Sequence, residues 1–135
     1  MKKRILILCT GNSARSQIAE GLFRSKSADR IEVCSAGTKP KGLNPLTVEV
    51  MKEIGIDISS HTSKDVSQFE NEKFDLVITV CDNAKESCPV FPGAKNIHWS
   101  IEDPQDLHSF RRVRDELNRR IEEFLLIESP TNARS

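Results

Sequence analysis

The segment from Lys2 to Cys9 opens with basic residues and then runs Ile5-Leu6-Ile7-Leu8 without a polar interruption, straight into a cysteine. A strand with no polar side is covered on both faces, which is the setting of a parallel sheet. Small polar residues follow at once, Thr10-Gly11-Asn12-Ser13, and they read as a loop. From about Ser16 the spacing of Ile18, Ala19, Leu22 and Phe23 describes one apolar face of a helix. Strand, tight loop and helix are the first half of a β-α-β unit, so the next strand should lie parallel to the first.

The remaining chain continues that alternation. Ile31 to Val33 reads as a short second strand closed by a Ser35-Ala36-Gly37 turn. Asn44 can cap a second helix, Pro45 suits its first turn, Val50, Met51 and Ile54 share a face, and Gly55 can end it. Phe74 to Val80 is the next buried strand, ending on Cys81, and residues 94–99 form a weaker fourth. Beyond Asp103-Pro104, Leu107, Phe110, Val113, Leu117, Ile121, Phe124 and Leu125 trace a long amphipathic helix that fades before Pro130. The expected architecture is α/β: one three-layer domain spanning residues 1–135, with a four-stranded parallel sheet and helices on both faces. In such a sheet active residues gather at the carboxyl ends of the strands, where Cys9, Cys81 and Asp103 fall.

Charge narrows the partners. The chain has 20 basic and 20 acidic residues, so it carries no net field for nucleic acid or an anionic membrane, and any anion site must be built locally. The apolar run at the start is far too short for a signal peptide core or a membrane span, so a cytoplasmic protein is expected, and a monomer. Four scattered cysteines are too few for a secreted disulfide framework; in a reducing compartment they invite catalysis or metal binding instead.

Cys9-Thr10-Gly11-Asn12-Ser13-Ala14-Arg15-Ser16 places a thiol and an arginine in a Cys-x5-Arg spacing between a strand and a helix. Such a loop can turn successive backbone N–H groups inward as an anion nest, reinforced by the positive end of the following helix. Arg15 adds a planar fork that matches two oxygens of a tetrahedral anion. These positive surroundings are expected to lower the Cys9 pKa and favour the attacking thiolate. The competing reading is a buried structural cysteine with a surface arginine nearby. Asp103, in a loop closed by Pro104, is the candidate general acid, against a plainer role as the cap of the last helix, for which Asp106 is also available.

Cys81 and Cys88 stand seven positions apart, joined by the polar stretch Asp82-Asn83-Ala84-Lys85-Glu86-Ser87. Two rigid helical turns would hold their sulfurs roughly 10 Å apart, too far for a disulfide, so bridging them requires the segment to unwind. Alternatively one is a core thiol and the other incidental, or both join His98 at a metal, although zinc sites show tighter pairs and four ligands. Cys34 has no partner of suitable spacing and reads as a packed thiol. His61, His98 and His108 have no triad-like setting and read as surface or hydrogen-bonded structural residues.

The Cys-x5-Arg-Ser loop, together with Ser35-Ala36-Gly37, Asn44-Pro45, the segment Glu53-Ile54-Gly55-Ile56-Asp57-Ile58-Ser59 and Asp103-Pro104, resembles the low-molecular-weight tyrosine phosphatases and the arsenate reductases that share their fold. The resemblance covers nearly the whole chain. It implies that Cys9 is the nucleophile, that residues Thr10 to Ser16 cradle the oxyanion and that Asp103 donates the proton. Cys9, Cys81 and Cys88 match the three cysteines of the thioredoxin-coupled arsenate reductases. There the first attacks arsenate, the second displaces arsenite, and the third resolves to a disulfide that thioredoxin reduces. Phosphate and sulfate would compete for the site, and no cofactor is implied. A phosphatase of the same fold and a glutaredoxin-coupled reductase are the alternatives. The chain has no tyrosine, and only Trp99 could stack on an aryl substrate, which favours a small inorganic anion. Some reductases of the family bind potassium at positions matched by Asn12, Glu20 and Ser35; Lys64 stands where the family supplies an aspartate, and an ammonium there repels a cation, so no metal is expected. Ala14 replaces a cysteine often found in the loop.

Overall fold

The computed structural model describes residues 2–27, 30–81 and 91–127. Four strands, β1 (Lys3–Cys9), β2 (Ile31–Gly37), β3 (Leu76–Thr79) and β4 (Lys95–His98), form one parallel sheet in the order β2-β1-β3-β4. The most apolar strand is flanked on both sides, and Ile5, Leu6, Ile7 and Leu8 are all fully buried. Since alternate residues of a strand point to opposite faces, both faces of the sheet are covered.

β2 is longer than its sequence suggests. Ser35, Ala36 and Gly37, expected as a turn, instead pair with Ile7, Leu8 and Cys9. Their local preference is weak, and the ladder offered by β1 overrides it. Gly37 is required at the end of that ladder: a Cβ there would lie 2.5 Å from the Thr10 carbonyl oxygen and 3.0 Å from the Asn12 nitrogen. β3 is shorter than expected, although Phe74 and Val80 at its ends remain buried.

Three helices are described: α1 (Arg15–Ser27), α2 (Pro45–Lys52) and α3 (Leu107–Ile127). α1 buries Ile18, Ala19, Leu22 and Phe23, as their spacing requires. α2 starts where Leu46 N donates to Asn44 Oδ1 at 2.9 Å, with Pro45 in its first turn. Gly55 takes a φ of +80° just beyond it. Ile54 falls past the last turn and is exposed, so it does not share the face of Val50 and Met51. α3 is capped by Asp106, whose Oδ1 accepts from Ser109 N at 2.8 Å, and it buries Phe110, Val113, Leu117, Ile121 and Phe124. The edge of the Phe23 ring meets Phe124 at 5.8 Å, locking α1 to α3. Phe74 lies between Phe69 and Phe91 in a second aromatic cluster, beneath the Arg4 guanidinium. Among the described residues, no helix is long and apolar enough to cross a membrane.

Glu53, just after α2, clasps α3. It accepts from Arg111 Nη2 at 2.7 Å and from Arg114 Nη1 at 2.7 Å, and Arg114 also donates to Val50 O at 2.9 Å. Arg111 first and Arg114 second lower the Glu53 pKa from an ordinary 4.5 to about 2. A carboxylate depressed in this way contributes stability above its unfolded pKa and loses it as pH falls toward the folded value. The melting temperature of Glu53→Gln should therefore lie below that of the wild type at neutral pH, with the gap closing between pH 4.5 and about 2. Parallel acid limbs for the two proteins would show that the clasp contributes nothing.

Candidate active site

Between β1 and α1 the chain runs through six peptide carbonyls, and each has a donor of its own. Thr38 N donates to Cys9 O at 3.3 Å, Lys39 N to Thr10 O at 2.8 Å, and Lys41 N to Gly11 O at 3.0 Å. Ser63 Oγ adds a second bond to Gly11 O, Gln17 Nε2 donates to Asn12 O, and Asn44 N and Thr47 Oγ1 both donate to Ser13 O. Ala14 O accepts from Ile18 N as α1 begins. A trans peptide holds its C=O and N–H on opposite edges, so a loop whose carbonyls are bonded outward turns N–H groups the other way. On that other side is a cleft of about 350 Å³ lined by Cys9, Thr10, Gly11, Ser13, Ala14, Arg15, Lys39, Lys41 and Asp103. Ser16 is buried behind the loop, where its Oγ accepts from Asn12 Nδ2 at 2.8 Å.

Asn12 holds the bend. It is the one non-glycine among the described residues with positive φ, at 47°. That left-handed conformation costs energy for any side chain, and surrounding bonds must impose it. Asn12 Nδ2 donates to Ser16 Oγ and, at 3.0 Å, to Ser35 Oγ, while Asn12 Oδ1 accepts from Lys64 N at 2.8 Å. Ser35 Oγ in turn donates to Glu20 Oε1 at 2.5 Å, and Glu20 Oε2 pairs with Arg24 Nη2 at 2.8 Å. Gln17 uses its amide hydrogens on Asn12 O and Thr62 O, so its Oε1 accepts from His61 Nδ1 at 3.0 Å. Burial, above all, holds the His61 pKa below the ordinary value.

Asn12, Glu20, Ser35 and Lys64 thus come together, but as a closed hydrogen-bonded set. The Asn12 amide presents hydrogens to Ser35, both Glu20 oxygens are bonded, and Lys64 Nζ donates to Thr62 O at 2.8 Å. Each of these side-chain oxygens already accepts a hydrogen bond or an ion pair, so a potassium ion would have to displace those contacts. No group of three or more His, Cys, Asp or Glu side chains gathers elsewhere among the described residues.

Cys9, Cys81, Arg15 and Asp103 meet at the carboxyl end of the sheet. The Cys9 and Cys81 side chains hydrogen-bond to each other, and Cys81 Sγ also lies 3.1 Å from Thr10 Oγ1. Both cysteines are buried, and no disulfide joins them. Arg15 is fixed by donating from Nη1 to Ile101 O at 3.0 Å, and its Nη2 lies 3.7 Å from Asp103 Oδ1. Asp103 is largely exposed and does not cap α3, a task that Asp106 performs. The Cys9 pKa differs from the expectation: it is raised. The hydrogen bond with Cys81 is the largest cause and burial the next; Arg15 and the Thr10 backbone N–H pull the other way and are outweighed.

Cys88 lies outside the described residues. Cys34 is half-buried, its thiol pushed up by burial first and then by Glu20. Trp99 packs against Phe124 in the core at 6.4 Å and takes no part in the cleft wall, so it is not placed to stack on a substrate ring. His98 accepts or donates at 2.8 Å with Thr79 Oγ1. The loop tethers Gln17, Thr47 and Ser63 escaped the sequence reading, as did Lys39 and Lys41 on the cleft rim. Gln17 and Thr47 could have been noticed as polar residues beside the apolar positions Ile18, Leu46 and Val48; nothing marked the other three.

The sequence profile of the low molecular weight phosphotyrosine protein phosphatase family matches residues 4–133. An arsenate reductase of Halalkalibacterium halodurans is 46% identical over 132 residues, covering 91% of this chain and 95% of that protein. An arsenate reductase solved in the phosphate binding state superposes with a TM-score of 0.78 at 34% identity, over 92% of this chain and 97% of that one. The thioredoxin-dependent arsenate reductase of Corynebacterium glutamicum gives a TM-score of 0.78 at 30% identity, over 92% of this chain and 60% of that longer one. With its loop, sheet order and these relatives in agreement, the chain belongs to the low molecular weight phosphotyrosine protein phosphatase family, among the members that include the arsenate reductases.

Proposed function

We propose that the chain reduces arsenate to arsenite in the cytoplasm, using Cys9, Cys81 and Cys88 in series and thioredoxin as the reductant. The observation that carries this reading is the second thiol: Cys81 is buried in hydrogen-bonding contact with Cys9, where hydrolysis of a cysteinyl phosphate would have no use for it. The cleft wall supports it as well, since no aromatic residue lines it among the described residues.

Arsenate enters the loop, its oxygens taking the N–H groups of the nest and the Arg15 guanidinium. The raised Cys9 pKa keeps the thiol protonated until then, and the arsenate dianion, itself a base, accepts that proton as the sulfur attacks. A sulfur–arsenic bond forms and an oxygen leaves as water, with Asp103 as the donor of the second proton. Cys81 then attacks the Cys9 sulfur. As the Cys81 proton passes to an oxygen on arsenic, a Cys9–Cys81 disulfide forms, the sulfur–arsenic bond breaks, and its electron pair stays with arsenic, which leaves as arsenite. Cys88 attacks Cys81, releasing Cys9 and leaving a Cys81–Cys88 disulfide. Two electrons from thioredoxin restore the dithiol. The contact between Cys9 and Cys81 serves two purposes in this sequence, holding the proton before attack and presenting the resolving sulfur after it.

The scheme separates reductase from phosphatase chemistry. Cys9→Ser, Cys81→Ser and Cys88→Ser should each reduce arsenate-dependent oxidation of thioredoxin by at least about a hundredfold, the scale of a lost nucleophile, while Cys34→Ser keeps it. An aryl phosphate assay on Cys81→Ser should retain whatever hydrolysis the wild type shows, because that reaction needs only Cys9, Arg15 and Asp103. Undiminished arsenate turnover in Cys81→Ser would sink the series.

The hydrogen bond with Cys81 also predicts a titration. Cys81→Ala removes the largest influence holding the Cys9 proton, so the pH midpoint for iodoacetamide alkylation of Cys9 should fall relative to the wild type. A midpoint that stays or rises would mean that burial alone sets it.

A further inference from the structure

Two lysines on the cleft rim have no part in the scheme above. Lys39 and Lys41 belong to the segment that leaves β2, and their backbone N–H groups donate to Thr10 O and Gly11 O. Those bonds tie both residues to the anion loop itself, so their position is fixed by the same contacts that shape the loop. Both residues line the cleft beside Cys9 and Arg15, and both are exposed. The Lys41 stem lies over Gly11, with its Cε, Cγ and Cδ at 2.7, 3.1 and 3.2 Å from where a Cβ on that glycine would sit. The absent side chain of Gly11 is thus the space that Lys41 occupies, its methylenes packed on the loop in an otherwise exposed residue. Neither lysine has a carboxylate partner among the described residues, whereas Arg15 stands beside Asp103. The cleft is therefore lined by three cationic residues and one carboxylate, in a chain whose 20 basic and 20 acidic residues balance.

We propose that Lys39 and Lys41 form a cationic mouth that draws the substrate anion into the loop and distinguishes it, by charge, from the product. For the identity of the substrate this rests on the arsenate reading. Arsenate at neutral pH is an anion bearing up to two charges, and arsenous acid is neutral. A field from two exposed ammonium groups raises the local concentration and capture rate of the first and has no hold on the second. The lysines thus act on entry, while the N–H nest and Arg15 act on the bound anion and the transition state. Because the mouth consists of exposed charge, its contribution falls with ionic strength. Interactions that are equal in the bound and transition states change KM and leave kcat alone.

The test uses the full-length reduced protein and three double variants: Lys39→Gln/Lys41→Gln, Lys39→Arg/Lys41→Arg and Lys39→Glu/Lys41→Glu. Inorganic phosphate binding is titrated at low and at physiological ionic strength, and arsenate kinetics are followed with thioredoxin as reductant. The glutamine pair should raise the phosphate Kd and the arsenate KM roughly tenfold, with kcat little changed and a flatter salt dependence. The arginine pair should behave as the wild type, and the glutamate pair should be weaker than the glutamine pair. An unchanged phosphate Kd, or a salt dependence as steep as before, would overturn the proposal. So would a defect confined to the KM for thioredoxin, which would assign the lysines to docking the reductant. Lysine-dependent phosphate binding in a wild-type protein that does not reduce arsenate would support the mouth and overturn the arsenate reading instead.

Discussion

Every feature of the site depends on where the carbonyls of residues 9–14 point. A peptide that turns its N–H toward an anion turns its C=O away, and a buried carbonyl without a donor is costly. Here the donors come from four places: the segment after β2, the start of α2, the loop before the 3-10 turn Val66–Phe69, and Gln17 of α1. The loop is therefore held by the rest of the fold rather than by its own sequence. Removing one donor would free one peptide to rotate, and the left-handed Asn12 marks where the tethers hold the backbone against its own preference.

This dependence explains which parts could be read from the chain. β1, α1, the caps at Asn44 and Asp106, the fourth strand and the long last helix follow from spacing and local chemistry, and all are present. The Cys-x5-Arg loop between strand and helix was legible for the same reason: its elements are contiguous. What could not be read are bonds between segments far apart. Ser35-Ala36-Gly37 has the composition of a turn and becomes a strand only because β1 lies beside it. Ser63, Lys39 and Lys41 look like ordinary loop residues until the fold sets them against residues 10 and 11. Trp99, a plausible substrate contact by residue type, is taken by Phe124 for the core.

The pKa of Cys9 shows the same limit in electrostatic form. From the loop alone, a thiol near an arginine and a helix start should ionise easily. The fold adds a second thiol and buries the pair, and both effects oppose the charge. A low-dielectric site strengthens Arg15's pull on a thiolate, but it strengthens the cost of making one as well. In the proposed scheme Cys9 is thus a nucleophile whose proton is retained by its neighbour until the anion enters the loop.

Retention of that proton is compatible with fast chemistry only if the incoming anion reaches the loop readily, because the anion brings the base. Charge at the mouth and protonation at the base of the cleft then have complementary consequences. On the proposed reading, the exposed lysines of the rim attract an anion from solvent, and screening makes their effect fall with ionic strength. Deeper in, the neutral thiol pair adds no negative charge to repel it. A thiolate formed in advance would oppose entry of a dianion with the same field that the lysines supply in its favour. Holding Cys9 neutral until arrival removes that conflict, and in the proposed series the buried Cys81 that holds it is the sulfur that attacks next.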